Sequence, residues 1–261
     1  MTSNQVSSTV AVIPAHLASV RFPRKILFEI HGLPMIEHVR RRALMSHSLE
    51  RVIVATCDEQ IATVIRSFGG EVVITANTHS NGTTRVAEAV ENLNCSHVIL
   101  LQGDEPLLLP YHIDLLVEAM HRQPENMAWN ATALILSPEE LERHSFVKCA
   151  VSPNGQILFC FRRSPCFAKY ESQRSFVRKI LGIIAYRKDF LAKIVQSSPT
   201  PVELCESIEQ MRIIESGFPL LSVPVDPGLP SVNEPHEVDV VLQTLESDPS
   251  QRLLLRRVLN Q

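Results

Sequence analysis

Four continuous apolar runs stand out in the first part of the chain: "TVAVIP" (9–14), "RVIVAT" (51–56), "EVVIT" (71–75) and "HVILLQ" (97–102). Strands that alternate apolar and polar residues face water on one side. Continuous runs like these predict a parallel sheet covered on both faces. Between them the period is helical. After Pro34, Ile36, Val39, Ala43 and Leu44 share one face. Asp58 stands where a cap would open a helix carrying Ile61, Val64, Ile65 and Phe68, and Gly69 and Gly70 would close it. Val86, Ala89, Val90 and Leu93 form a third stripe, and Ile113, Leu116, Val117 and Met120 a fourth. Strand and helix in alternation predict a doubly wound α/β sheet.

Beyond about residue 127 the rhythm changes. "MAWNATALIL" reads as a strand with Trp129 in its core face, and "VKCAVSPNGQILFCF" (147–161) as a hairpin about a Pro-Asn-Gly turn. "LGIIAY" (181–186) is a further strand, and helices follow, best marked near 202–216. The polar, basic segment 162–180 reads as a loop or flap that carries function or meets a partner subunit. No repeat or linker divides the chain, so one continuous α/β fold with an inserted mixed-sheet portion is expected.

Composition narrows the class. The chain has 261 residues, 45% of them apolar, and a formal net charge of −3, which gives no basic excess for nucleic acid. Six cysteines without a CxxC pair read as reduced, mostly buried thiols, and the histidines lack the spacing of a zinc site. The opening "MTSNQVSST" has no signal-peptide pattern and no run is long enough to span a bilayer, so a cytoplasmic protein is expected.

In an open α/β sheet, ligands gather beyond the carboxyl ends of the strands. After the first run comes "PAHLASVRFPRK", with Ser19, Arg21, Arg24 and Lys25. It contains neither GxxxxGK[ST] nor GxGxxG, so a phosphate grip would have to come from side chains; a solvated basic loop is the alternative. After the fourth run comes "QGDEP", where Asp104 is placed either to hold Mg²⁺ or to cap a turn. "HSNGTTRVAEAV" (79–90) is a glycine-containing turn at a helix start, an ordinary cap or a seat for an anion or base edge.

Read together, nine stretches in order resemble the 3-deoxy-manno-octulosonate cytidylyltransferase (CMP-Kdo synthetase) family: "PAHLASVRFPRKIL", "GLPMIEHV", "ATCDEQI", "NGTTRVAEA", "LQGDEPLL", "CFRRSP", "ILGIIAY", "IEQMRIIESG" and "SVNEPHEV". The resemblance implies a nucleotide-diphospho-sugar transferase-like, Rossmann-like fold: a mixed, mainly parallel sheet flanked by helices, with an inserted hairpin and dimerisation region. It implies one domain over 1–261, with a nucleotide-binding part near 8–125, a sugar-acid and dimerisation part near 126–225, and a C-terminal part, 226–261, returning to the site. The implied reaction is attack of a sugar acid's anomeric hydroxyl on the α-phosphate of CTP, with Mg²⁺, in a homodimer that binds neither nucleic acid nor membrane. Carried over residue by residue, Arg21, Lys25 and Asp104 are the catalytic positions, and Ser19, His16, Ser80, Gly82, Thr83, Arg85 and Gln102 the nucleotide contacts. Arg163, Glu206, Glu209 and Gln210 surround the sugar acid, and Asp104 and Asn233 are the metal positions.

The departures fall at the chemistry. His16 replaces the family's first arginine and pairs fully with phosphate only when protonated. Arg24 takes a glycine's place, Thr84 an acid's, and Ile180 an imidazole's. Asn233 replaces the second metal-site acid, and Glu234 and Glu237 are the nearby candidates to substitute for it. Three readings stay open: transfer to Kdo, transfer to a different sugar acid such as 8-amino-Kdo, or a weakened nucleotide-binding relative.

Overall fold

The computed structural model describes residues 8–260. Strand β1 (Thr9–Ala15) is followed by a small hairpin, β2 (Glu29–Ile30) and β3 (Leu33–Pro34), and then by β4 (Arg51–Thr56), β5 (Glu71–Ile74) and β6 (His97–Leu101). The later strands are β7 (Ala128–Leu134), β8 (Lys148–Val151), β9 (Ile157–Phe161), β10 (Val177–Arg187) and β11 (Leu221–Pro224). The main sheet runs β11-β7-β10-β6-β1-β4-β5. β1 is parallel to β4 and β6, and β4 to β5. β10 is antiparallel to both β6 and β7, which makes the sheet mixed, and β11 runs parallel to β7. The β8–β9 hairpin hangs from the start of β10, with Val177 to Lys179 paired on Ala150 to Lys148.

The apolar runs feed two cores. Along β1, Ala11, Ile13 and Ala15 pack on one face with residues of α1 (Met35–Ala43), α2 (Glu59–Ser67) and α4 (Pro110–Arg122). Val10 and Val12 pack on the other with α3 (Gly82–Val90) and the later helices around 190–194 and 208–213. Each fully buried aliphatic side chain contributes about 1.5–3 kcal/mol, so the double covering is the main stabilising term. Trp129 is fully buried in β7, as its apolar run predicts.

Four local expectations change. Asp58 does precede α2, but its carboxylate does not cap the helix; Oδ2 accepts the Leu17 N–H at 2.8 Å and pins the loop after β1 to the end of β4. The flap is shorter than expected, because Val177–Ile180 already belong to the eleven-residue β10. Its charged residues hide the strand pattern, although Val177 and the Lys179 stem are buried. Only Cys149 and Cys160 are buried; Cys57, Cys95 and Cys166 are half-buried and Cys205 is exposed. Helix α1 is covered on every side, with Leu44 exposed just beyond it. Most of its charged atoms are paired internally: Glu37 receives Arg40 and Arg41, and Arg42 Nη1 reaches Leu108 O and Gln251 Oε1 of the C-terminal helix Pro249–Leu259, while Arg42 Nε and Nη2 have no partner among the described residues.

α1 also carries a buried histidine. His38 Nε2 donates to Ile30 O at 2.7 Å, and Nδ1 is sealed without a partner. Burial foremost, with the nearby Arg42, His31 and Arg41, pushes its pKa down to about 4 from an ordinary 6.5. The unfolded chain therefore takes up a proton below about pH 6.5 that the folded protein refuses until about pH 4. Stability from this group is fully present above the upper value and falls as pH drops through the window. His38→Gln keeps an N–H for Ile30 O and should flatten the loss between those pH values by one proton's worth, as read from denaturant unfolding across pH.

Candidate active site

The carboxyl ends of β1 and β6 open into a cleft of about 470 Å³. The loop after β1 is held in shape before its side chains are used. Leu17 O accepts the N–H groups of Ser19 and Arg24, at 2.9 and 3.4 Å. Arg24 then adopts φ 58°, ψ 20°, the left-handed region that glycine occupies without strain. A side chain there costs about 1–2 kcal/mol. Arg24→Gly should therefore raise unfolding stability by about 1 kcal/mol, checked by thermal melting. The short turn Lys25–Leu27 follows and turns the Lys25 side chain inward.

Lys25 Nζ lies 2.6 Å from Asp104 Oδ2, and both side chains are largely shielded from water. The opening loop and the turn after β6 thus converge on one ion pair. Asp104 also receives the C-terminal segment, since Val232 N donates to Asp104 O at 2.9 Å, which brings Ser231 and Asn233 to the cleft. Asn233 Nδ2 donates to Ser231 Oγ at 3.2 Å, leaving Oδ1 as its free ligand atom. Glu237 does not replace the missing acid: its carboxylate accepts the backbone N–H groups of Asn233 and Glu234. Neither Glu234 nor Glu237 lines the cleft.

Opposite stands the start of α3, capped by Asn81 on Thr84 N. His16, Ser19, Arg21, Ser80, Gly82, Arg85 and Gln102 all line the cleft. The helix N-terminus is not free for an anion, however. Glu209 accepts Gly82 N, Thr83 N and the Thr83 hydroxyl, and Thr83 itself faces away from the main cleft. Arg85 Nη1 is spent on Thr75 Oγ1, at 2.6 Å, and on Ala76 O. Glu209 lines the cleft but serves as the clasp between its two halves.

On the remaining wall, Gln210 lines the cleft whereas Arg163 and Glu206 do not. Neighbouring residues leaving a strand point to opposite sides. At the end of β9 that alternation gives the cleft to Arg162 and turns Arg163 onto His144. Glu206 supports Arg162 instead, accepting its N–H at 3.1 Å, with its own carbonyl on Arg162 Nε. Burial, and then the nearby Arg21, lower the Arg162 pKa, so two guanidinium groups crowd one mouth of the cleft. Lys179, 3.8 Å above the Phe146 ring, and half-buried Glu105 complete this wall. Glu105 Oε1 accepts Gly182 N at 2.7 Å, and burial pushes its pKa up to about 7. A Cβ on Gly182 would sit 2.6 Å from Glu105 Oε1 and 2.8 Å from Gln102 Cβ, so only glycine fits there. Of these, Arg162 had a sequence signal in the β9 alternation. Glu105 stood visible in "QGDEP" without a role.

The family model for cytidylyltransferases matches residues 10–222, most of the chain and all of the cleft walls before the C-terminal return. The chain belongs to the cytidylyltransferase family. Its relatives within that family include the 3-deoxy-manno-octulosonate cytidylyltransferase of Geobacter metallireducens, 35% identical over 90% of this chain and 96% of that protein. A second is 3-deoxy-manno-octulosonate cytidylyltransferase 2 of Actinobacillus pleuropneumoniae serotype 5b, 40% identical over 79% of this chain and 85% of that protein. A solved CMP:2-keto-3-deoxy-manno-octonic acid synthetase complexed with CTP superimposes with a TM-score of 0.86 at 32% identity, covering 93% of this chain and 100% of that one. The mixed sheet and helical covering expected for a CMP-Kdo synthetase-like cytidylyltransferase are therefore present.

As a cytidylyltransferase, the chain is a nucleotidyl-transferring enzyme. Among the described residues no three His, Cys, Asp or Glu side chains form a metal cage. One carboxylate (Asp104) and one free amide oxygen (Asn233) suit an ion that takes most of its ligands from phosphates and water, as Mg²⁺ does. No helix among the described residues is long and apolar enough to cross a membrane.

Proposed function

We propose that this chain transfers the cytidylyl group of CTP to the anomeric hydroxyl of 3-deoxy-manno-octulosonate, releasing pyrophosphate. The observation that carries the reading is the meeting of Lys25 and Asp104 in a cleft rimmed by Arg21 and Arg162. In the reaction the sugar oxygen forms a bond to the α-phosphorus while the bond to pyrophosphate breaks. Such chemistry rests on positioning and on neutralising charge. Arg21 and Lys25 meet the charge that accumulates on the leaving pyrophosphate, with Ser19 and His16 beside them. Asp104, with Asn233 Oδ1, would hold Mg²⁺, which would offset phosphate charge. Gln102, Ser80 and Gly82 form the nucleotide side, with Arg85 bracing the turn before α3, and Gln210, with Glu209 as its neighbour, forms the sugar-acid side. Arg162 and Lys179 take the roles of cations facing the acceptor's carboxylate.

The same reading makes the protein a cytoplasmic homodimer. Exposed Leu134, Leu136, Leu158 and Phe167, all in the inserted region, support a partner surface there; sedimentation should give twice the chain mass. The decisive experiment supplies CTP, Mg²⁺ and 3-deoxy-manno-octulosonate or its 8-amino analogue, with pyrophosphate release and product mass as readouts. A CMP adduct is expected. No release across the panel overturns the reading.

A further inference from the structure

Asn130 sits in the middle of β7, an otherwise mostly apolar strand, with no solvent exposure. A buried amide is tolerated only when its polar atoms are paired. Its Nδ2 lies 2.8 Å from Ala131 O, 2.9 Å from Leu181 O and 3.4 Å from Ile183 O. Three acceptors identify that end of the side chain as the amino group. The other end is therefore the oxygen, which can only accept. The atom 3.1 Å from it belongs to the Gln210 amide and must be Nε2.

This chain of constraints orients Gln210. Among the described residues, the sealed side-chain atoms without a partner are Thr9 Oγ1, His38 Nδ1, Arg42 Nε and Nη2, and Trp129 Nε1. Gln210 Oε1 is not one of them, and the residue lines the cleft. Its free oxygen thus opens on the site. The same Asn130 amino group holds the carbonyls on either side of Gly182, where the β10 register on β7 shifts and where Glu105 and Gln102 grip the backbone.

We infer that Asn130 is a positioning residue of the acceptor pocket: it locks Gln210 with its carbonyl oxygen toward the cleft, so that this point recognises a hydrogen-bond donor, a hydroxyl or amine of the sugar acid, rather than its carboxylate. The inference rests on the proposed sugar-acid transfer and names the chemistry of one of its contacts. A fixed acceptor rejects a substrate that lacks the matching donor, because the buried group is then left unpaired.

The test is a mutant cycle in the full chain: Asn130→Ala, Gln210→Ala and both together, with KM for 3-deoxy-manno-octulosonate, KM for CTP and kcat. Asn130→Ala should raise the sugar-acid KM by about tenfold, the order of one lost hydrogen bond, and leave the CTP KM unchanged. In the Gln210→Ala background it should have no further effect. An equal effect in both backgrounds, or equal shifts of both KM values, marks Asn130 as merely structural and overturns the inference. Should the alanine variant fail to fold, Asn130→Ser keeps a donor and acceptor too short to reach both sides, and the same cycle decides. Calorimetric binding of the sugar acid to the CTP-bound protein reads the same coupling without turnover. Inactivity of the unmodified protein therefore sinks the functional reading, whereas additive binding or kinetics sinks this inference alone.

Discussion

Asp104→Asn should lower the rate of pyrophosphate release by about 10²–10³-fold, the scale on which loss of one preorganised electrostatic group acts. The substitution keeps the size and removes the charge. Lys25 then loses the partner 2.6 Å away and is left as an uncompensated cation at the floor of the cleft. That cation still attracts polyphosphate, so CTP affinity should hold or rise while turnover falls. Lys25→Ala should behave differently and weaken both. Single-turnover rates and CTP titration separate the two effects; an Asp104→Asn enzyme with unaltered turnover would remove Asp104 from the chemistry.

The opposite result is expected at Asn233, the other proposed metal position. Asn233→Asp places a second carboxylate beside Asp104, where Val232 is already hydrogen-bonded to Asp104 O. Two acids bind a divalent ion better than an acid and an amide. The Mg²⁺ concentration for half-maximal rate should fall by about tenfold, a modest share of what a unit charge at close range can supply. Without Mg²⁺ the variant should melt at a lower temperature, because two carboxylates then face each other, and recover when the ion is added. Adding His16→Arg supplies a permanent guanidinium on the phosphate side and should raise turnover further. If neither the Mg²⁺ dependence nor the rate changes, the site has been rebuilt around the neutral amide.

Much of this site could be read before any coordinates. Lys25 and Asp104 lie 79 positions apart, yet each follows an apolar run, and the rule for strand ends puts both at one edge. Arg24 in a glycine's place carries the strained backbone that such a replacement implies. Arg163 and Glu206 do not line the cleft, and nothing in the sequence showed it. Choosing Arg162 over its neighbour requires knowing that β9 ends at Phe161 and which face its side chains then take. Glu209 looked like a substrate contact because its partners, Gly82 and Thr83, are more than a hundred positions away. Asn130 gave no signal at all, since one amide in an apolar run says nothing about which carbonyls surround it.

Apolar runs alone placed the first parallel strands, their covering on both faces and the loops at their carboxyl edge, but not β11 or the charged start of β10. Those follow from apolar period and local turn chemistry, which act over a few residues. Which polar groups are free and which are taken was settled only by folding: Glu237 by backbone N–H groups, Arg85 by the Thr75 turn, and the Gln210 amino group by Asn130. A hydrogen bond is directional and saturable, so whether a polar atom remains for a ligand depends on neighbours that folding brings from distant parts of the chain.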